Sequence, residues 1–219
     1  MKNVKLADII VPHHNRHDML KQFLDGIDIS LFNIIICSGD SFGNNCNKGA
    51  KLAETDLLIF CNDDIVIHTE QLIKMVNASK YHDFIGVTQM ASKGTRKYWG
   101  IGITKDTINN KYVADIQLQA KGSIFPSGAC FAIKKDVWNK LKGFDAKFKT
   151  GFEDVDLGIR AMEKGIKTAI LDLEVYHEES QSAGRFDNEA VNQKLLYEIY
   201  PSDRLYDFKK KYEDFDCVL

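Results

Sequence analysis

Residues 57–64 read Leu-Leu-Ile-Phe-Cys-Asn-Asp-Asp, an apolar run followed at once by an amide and two carboxylates. A short, uniformly apolar run is typical of a strand buried on both faces. In open α/β sheets ligands bind outside the carboxyl ends of the strands, so Asn62, Asp63 and Asp64 are expected to face a binding crevice. Oxygen ligands of this kind suit Mg²⁺ or Mn²⁺ together with phosphate oxygens and water. The same residue types also form ordinary turns, so the tripeptide alone leaves both interpretations open.

The residues before this strand predict an alternation of strands and helices. Apolar runs at residues 6–11 and 34–37 are expected to form two more buried strands. Residues 17–27, with apolar side chains at helical spacing, and residues 44–54 are expected to form helices between the strands. Apolar strands interleaved with amphipathic helices indicate a parallel sheet covered on both faces. We therefore predict an α/β fold with a mostly parallel central sheet and a Rossmann-like first half.

The rest of the chain continues this pattern less regularly. Residues 91–122 are mixed in character, and we expect strands joined by long loops there. Residues 178–188 are polar and contain Gly184, so we expect them to be mobile. The other predicted elements are strands at 84–90, 128–133, 168–171 and 174–177, helices at 69–79, 135–142 and 153–164, and one or two amphipathic helices within 190–212.

Composition is typical of a soluble globular protein. The 219 residues are 44% hydrophobic and 27% charged, which excludes disorder as the main state and suits one domain. The net charge of -2 provides no overall basic field for nucleic acid. The five cysteines show no CxxC pair, which favours reduced thiols over a disulfide scaffold. Since no apolar stretch suits a signal peptide or a membrane span, we expect a soluble, cytoplasmic protein.

Two other places carry residues that suit chemistry. Glu153 and Asp154 open a predicted helix, where acidic side chains complement the helix dipole without any catalytic role. An acid at that position also stays ionised, as a general base must. His177 ends a predicted strand beside the polar segment, where it is either a hydrogen-bonded structural residue or a metal ligand. Neither place decides the function by itself.

Several segments of the chain, taken together and in order, are similar to the motifs of one enzyme family. They resemble the successive motifs of family 2 glycosyltransferases with the GT-A fold, which are specific as an ordered set and not singly. The segments are Pro12-His13-His14-Asn15-Arg16, NNCNKGAKLA (44–53), LLIFCNDD (57–64), PSGACFAIKKDVWNKLKGFD (126–145), TGFEDVDLGIRAMEKGIKTAI (150–170) and VYHEES (175–180).

The resemblance implies a domain organisation and a reaction. Residues 1–219 would form one GT-A domain, with a nucleotide-sugar-binding half at about 1–90, an acceptor and catalytic half at about 91–188 and a C-terminal helical tail at about 189–219. Such an enzyme transfers a sugar from a nucleotide-diphosphate sugar to an acceptor hydroxyl, with inversion at the anomeric carbon. The acceptor would be a glycan, a lipid-linked compound or another hydroxyl compound. A divalent cation, Mn²⁺ or Mg²⁺, would be the cofactor.

The resemblance also implies roles for individual residues. Asp154, with Glu153 beside it, would take the proton of the acceptor hydroxyl. Asp64 would bind the metal, together with His177. The residues implied in binding the nucleotide sugar are Pro12, His14, Asn15, Arg16, Ser38, Asp40, Asn47, Asn62 and Asp63.

The chain departs from the family pattern at the end of its second strand. Family members usually carry there an aspartate that contacts the base, whereas this chain reads Cys37-Ser38-Gly39-Asp40. Ser38 and Asp40 are therefore alternative residues for that contact. Two other functions stay open: a nucleotidyltransferase, which also joins a Rossmann-like half to acidic metal ligands, and a degenerate module that binds a nucleotide sugar without catalysis.

Overall fold

The computed structural model of the protein describes residues 4–15, 17–91, 96–178, 187–215 and 217–219. Within these residues strands and helices alternate, as the apolar runs and amphipathic segments predict. The strands are β1 (Ala7–Pro12), β2 (Phe32–Cys37), β3 (Leu57–Cys61), β4 (Ile65–Val66), β5 (Phe84–Ala91), β6 (Lys97–Tyr98), β7 (Gly100–Asp106), β8 (Lys111–Gln117), β9 (Cys130–Lys134) and β10 (Thr168–His177). The helices are α1 (His17–Asp25), α2 (Phe42–Leu52), α3 (Thr69–Ala78), α4 (Lys135–Leu141), α5 (Glu153–Glu163), α6 (Glu189–Ile199) and α7 (Ser202–Lys211).

The central sheet is mostly parallel. Its strand order is β2-β1-β3-β9-β5-β10-β4, and β6 pairs with β5 outside this path. Strand β1 pairs in parallel with β2 and β3, and β5 pairs in parallel with β10. Helices α1 and α3 pack on one face, while α2, α4 and α5 pack on the other. The α/β fold class predicted from the sequence is therefore confirmed.

Strand β9 runs against the direction of its neighbours. It pairs antiparallel with β3 on one side and with β5 on the other. A parallel connection needs a crossover, usually through a helix, but the chain reaches β9 from the β7–β8 hairpin and an irregular segment. The apolar run predicts a buried strand here, and all but the last residue of β9 is buried. Its direction depends on the connection and is not visible in the run itself.

Strand β10 differs from the two strands predicted from the sequence. The sequence predicts separate strands at 168–171 and 174–177, but one strand spans Thr168–His177. Its register against β5 shifts between Leu171 and Glu174, and this irregularity interrupts the apolar pattern. The strand β4, which the sequence does not predict, pairs antiparallel with the end of β10 so that Ile65 lies opposite His177. This pairing brings the acidic end of β3 beside His177.

The C-terminal helices build a separate core around the hairpin. As predicted, residues 190–212 are largely helical, in α6 and α7. Strands β7 and β8 form a two-stranded sheet, and α7 packs on both. Apolar side chains of the hairpin, α5, α6 and α7 form one buried cluster that includes Phe125 and Leu196. No helix in the described ranges is long and apolar enough to cross a membrane.

Gly158 marks a close approach between α5 and the segment before β9. A Cβ at this position would overlap the ring of Phe125, which is fully buried. We expect Gly158→Ala to lower the free energy of unfolding by about 1–3 kcal/mol, because the overlap of the added methyl group with a fully buried ring outweighs the gain of about 1 kcal/mol in helix propensity. Urea unfolding followed by circular dichroism measures this loss. The exposed substitution Lys74→Ala should change it by less than about 0.5 kcal/mol; equal effects would contradict the prediction.

Candidate active site

A cavity of about 630 Å³ opens where β1, β3, β5 and β10 end. The carboxyl ends of parallel strands meet at one edge of a sheet, which explains why residues distant in sequence meet here. The beginnings of α2, α5 and α6 complete its wall. The residues predicted from the sequence that line the cavity are Pro12, His14, Asp40, Asn62, Asp63, Asp64, Glu153, Asp154 and His177.

Four of the residues predicted to bind the nucleotide sugar are not among the described residues that line this cavity. Arg16 lies outside the described residues. Asn15 is exposed and has a left-handed backbone with φ 55°, a conformation that asparagine tolerates. Ser38 is also exposed. The side chain of Asn47 makes two hydrogen bonds with the backbone of Phe144, at 2.9 and 3.0 Å, and so joins α2 to the segment after α4. Their roles in donor binding stay predictions.

Asp63 is paired with a histidine that the sequence did not single out. Its Oδ2 lies 2.6 Å from His13 Nδ1 and accepts a long hydrogen bond, at 3.4 Å, from the backbone N–H of His14. His13 Nε2 in turn lies 3.3 Å from His17 Nδ1. Both His13 and Asp63 are buried. Asp63 therefore holds the loop after β1 against the end of β3.

Asp64 and His177 face one another at the cavity wall. Asp64 Oδ1 lies 3.2 Å from His177 Nε2, and only 13% and 5% of the two side chains are exposed. On its other side His177 Nδ1 lies 3.1 Å from Gln89 Oε1. The backbone carbonyl of Asp64 accepts a hydrogen bond from the N–H of Glu178. The β4–β10 pairing thus fixes both side chains.

The tautomer of His177 decides what faces Asp64. If Gln89 Oε1 accepts from His177 Nδ1, then Nε2 presents its lone pair to Asp64 Oδ1; if the Gln89 amide is turned over, Nε2 carries the proton and donates to Asp64. Neither Nε2 nor Asp64 Oδ1 has a hydrogen-bond partner among the described residues, and the same holds for Asn62 Oδ1. Two lone pairs that face each other are unfavourable unless a proton or a cation lies nearby.

Asp64 Oδ1, His177 Nε2 and Asn62 Oδ1 fit a divalent cation whose remaining coordination positions are filled by phosphate oxygens or water. Adjacent ligands of an octahedral cation lie about 3 Å apart, close to the observed 3.2 Å. Within the described ranges, no group of three or more His, Cys, Asp or Glu side chains could hold a metal. Mg²⁺ commonly binds through one or two carboxylates plus substrate phosphates, so a small set of protein ligands suits it.

Asp40 lies at the rim of the cavity with its carboxylate already engaged. Hydrogen bonds from the Asn44 side chain, from Lys48 and from the Ser41 backbone lower its pKa to about 2. Lys48 Nζ is 3.0 Å from Oδ2. The nearby Asn45 is different: its Nδ2 donates to the Asp40 carbonyl, while its buried Oδ1 has no partner among the described residues. Asn45, which also lines the cavity, was not predicted from the sequence.

The backbone that leads into α5 is strained. Thr150, Gly151 and Phe152 have φ angles of 139°, 104° and 70°. Positive φ is costly for a threonine or a phenylalanine, and it persists only where the surroundings hold it. All three residues line the cavity. This segment turns the first residues of α5 towards the ends of the strands.

Asp154 lines the cavity at the beginning of α5. Its Oδ2 accepts a hydrogen bond of 2.8 Å from the backbone N–H of Gly128, just before β9, and its Oδ1 accepts one of 2.9 Å from the N–H of Val155. A Cβ on Gly128 would lie 2.9 Å from the Asp154 Cβ, so only glycine permits this approach. These two hydrogen bonds fix the orientation of the Asp154 carboxylate.

Glu153 differs from Asp154 in burial. It is only 3% exposed, whereas Asp154 is half-buried. Burial, and after it the charge of Glu153, raise the pKa of the Cys46 thiol in α2 well above its usual value. Glu153 therefore acts electrostatically on α2, across the cavity wall. This environment suits a supporting residue better than one that meets a substrate.

Several residues of the cavity are not predicted from the sequence, some inside the motifs, such as His13 and Asn45, and others in ordinary helices and strands. His13 stood inside a quoted motif, but its pairing with Asp63 needs the tertiary structure. Gln89 lies inside an apolar strand, where a buried amide was the available signal. Further unpredicted residues that line the cavity are Asn45, Asp115, Glu189 and Gln193. Tyr98 also lines it; the sequence places Tyr98 in a cluster of cations and aromatic residues that suits either an anionic or sugar-bearing partner or an ordinary loop.

Comparison with known proteins gives one finding on the family. The model of the family described as glycosyltransferase like family 2 matches residues 15–195. The match spans the cavity residues from Asp40 to Gln193 and most of the central sheet, while the cavity residues Pro12, His13 and His14 precede it. A comparison with curated proteins finds no match.

Proposed function

The chain belongs to the glycosyltransferase-2-like family, and from that premise we propose that it transfers a sugar from a nucleotide-diphosphate sugar to an acceptor hydroxyl with inversion. The observation that carries the proposal is the close approach of Asp64 Oδ1 and His177 Nε2, 3.2 Å apart, in the same cavity as the Asp154 carboxylate. The first two residues suit the diphosphate side of such a reaction. The third suits the acceptor side.

On the donor side, Asp64 and His177 would hold Mn²⁺ or Mg²⁺, with Asn62 as a further oxygen ligand. A bound cation would neutralise the charge that develops on the leaving diphosphate. In the tautomer with the proton on Nδ1, the hydrogen bond from His177 to Gln89 keeps the Nε2 lone pair directed at this position. The buried pair His13–Asp63 would keep the loop after β1, with Pro12 and His14, in place against the nucleotide.

On the acceptor side, Asp154 would act as the general base. Its carboxylate takes the proton of the acceptor hydroxyl while the hydroxyl oxygen forms a bond to the anomeric carbon. The bond from that carbon to the diphosphate breaks at the same time, and its electron pair leaves with the nucleoside diphosphate. Attack from the face opposite the leaving group inverts the configuration. The N–H groups of Gly128 and Val155 hydrogen-bond the carboxylate and fix its orientation.

The proposal is tested by binding and turnover together. We expect a panel of nucleoside diphosphates to raise the melting temperature of the protein only when Mn²⁺ is present, for at least one base. The nucleotide sugars of that base are then tested for metal-dependent transfer to simple sugar acceptors and for hydrolysis. Binding without transfer or hydrolysis would favour the degenerate binding module. Stabilisation by nucleoside triphosphates alone would favour a nucleotidyltransferase.

A further inference from the structure

Helix α6 packs against α5 through a row of three buried side chains, and the first and last of the three are polar. Asn192, Leu196 and Tyr200, at a spacing of four residues, share one face of the helix and continue it to its C-cap. They are only 1%, 0% and 2% exposed. A buried asparagine and a buried tyrosine must find hydrogen-bond partners, and both find them at the beginning of α5.

Asn192 binds the strained segment before α5. Its Nδ2 donates to the carbonyl of Thr150 at 2.9 Å, and its Oδ1 accepts from the N–H of Lys149 at 3.3 Å. The orientation of the amide is fixed, since a backbone carbonyl only accepts. Asn192 thus contacts the segment in which Thr150 and Phe152 adopt positive φ. Strained backbone of this kind persists only when its surroundings hold it.

Tyr200 binds α5 on the other side of Asp154. Its hydroxyl donates to Asp156 Oδ1 at 2.8 Å. Burial, and after it the Asp156 charge, raise the pKa of Tyr200, so the hydroxyl stays a donor. Asp156 Oδ2 in turn accepts from Arg160 Nε at 2.8 Å, and Arg160 donates to the carbonyl of Gly143. Helix α6 therefore holds α5 both before and after Asp154.

We propose that Asn192 and Tyr200 are positioning residues that fix the Asp154 carboxylate in the cavity, an inference that rests on the proposed role of Asp154. The sequence predicts only a C-terminal helical tail for the part of the chain that contains these two residues. Because Asn192 holds the entry into α5 and Tyr200 holds its first turn, neither needs to touch a substrate. A displacement of about 1 Å at a reacting group costs on the order of 100-fold in rate, so such supports matter for turnover.

The first test needs no substrate. Hydrogen exchange of the backbone amides of residues 149–155 is compared in wild type, Asn192→Ala, Tyr200→Phe and Val191→Ala. Val191 is 68% exposed on the same helix and serves as the control. We expect about tenfold or faster exchange in this segment for the first two variants, and wild-type exchange for the control. Unchanged exchange in Asn192→Ala and Tyr200→Phe would overturn the proposal whether or not the protein transfers sugar.

The second test separates positioning from general stability. With the nucleotide sugar on which wild type turns over, we expect kcat to fall about 10- to 100-fold in Asn192→Ala, while KM for the donor and the affinity for its nucleoside diphosphate with Mn²⁺ stay within about twofold. Parallel losses in kcat and donor affinity would mean a merely structural role and would overturn the proposal.

The variant Asn192→Asp adds a pH signature. The new carboxylate still accepts from Lys149 but repels the Thr150 carbonyl, whereas its protonated form can donate to that carbonyl again. We expect kcat relative to wild type to rise as the pH falls from 8 to 5. A ratio independent of pH, with unchanged exchange at 149–155, would contradict the role of the donated hydrogen bond. If wild type shows no turnover on any nucleotide sugar, the proposed function fails, and the exchange experiment still decides the positioning of α5.

Discussion

Asp154→Asn is expected to lower turnover by about 10²- to 10⁴-fold, the usual contribution of a positioned general base. Asparagine is nearly isosteric, and its oxygen can still accept the hydrogen bond from the N–H of Gly128. It cannot take a proton from the acceptor. The affinity for the nucleoside diphosphate with Mn²⁺ should stay within about twofold, because Asp154 is assigned to the acceptor side. Steady-state kinetics and isothermal titration measure the two effects on the same preparation.

Glu153→Gln is the matched control for this prediction. Glu153 precedes Asp154 in the first turn of α5 but is buried against the cavity wall, so we expect a smaller loss of turnover. An inactive Glu153→Gln beside an active Asp154→Asn would exchange the two roles. If both variants keep full activity and lose only a few tenths of a kcal/mol of stability, the two acids merely complement the helix dipole.

Asp64→Asn is expected to weaken metal-dependent binding of the nucleoside diphosphate at least about 100-fold. Loss of an outer-shell partner alone typically costs 10- to 100-fold in metal affinity, and Asp64 is proposed as a direct ligand. The same variant should gain stability in EDTA, by about 0.5–1.5 kcal/mol, because the new amide can donate to His177 Nε2, which faces Asp64 Oδ1 at 3.2 Å. Titration with Mn²⁺ and with EDTA, combined with urea unfolding, measures both effects.

The opposite signs of these two effects distinguish a ligand from a structural residue. A purely structural Asp64 would lose stability on substitution and leave the dependence on Mn²⁺ unchanged. The exposed carboxylate Asp25 on α1 pairs with Lys21 and is not among the residues that line the cavity, so Asp25→Asn should change neither property. Binding that is indifferent to the metal in wild type would remove the cation from the proposed mechanism.

The local pattern of the sequence determines most of the elements and many of the cavity residues. Strand β3 has the predicted bounds at Leu57–Cys61, and α5 begins at Glu153 as predicted. These elements can be predicted from the sequence because burial imposes a recognisable pattern on it. A buried strand is a short apolar run, and an amphipathic helix has apolar residues at helical spacing. Ligand sites at the ends of parallel strands follow from the chain direction, and Asp63 and Asp64 do line the cavity.

The tertiary structure decides what those residues touch. Asp63 and Asp64 are neighbours in sequence, yet Asp63 pairs with His13 and Asp64 faces His177. Strand direction and register, as at β9 and at the irregular β10, determine these partners. Both result from packing over the whole sheet. Hydrophobic burial is non-directional, so the apolar pattern of one segment does not determine which distant strand will pair with it.

The same reason explains Asn47 and Asn192. A motif match predicted the first to contact the nucleotide sugar, and its amide bonds the backbone of Phe144. The second carried no motif, and its amide holds the segment before α5. A polar side chain becomes buried only when the chain around it folds, and it then binds whichever backbone groups would otherwise lack a partner. The sequence alone determined which residue types could serve a sugar transfer, and the folded chain decided which partner each of them has.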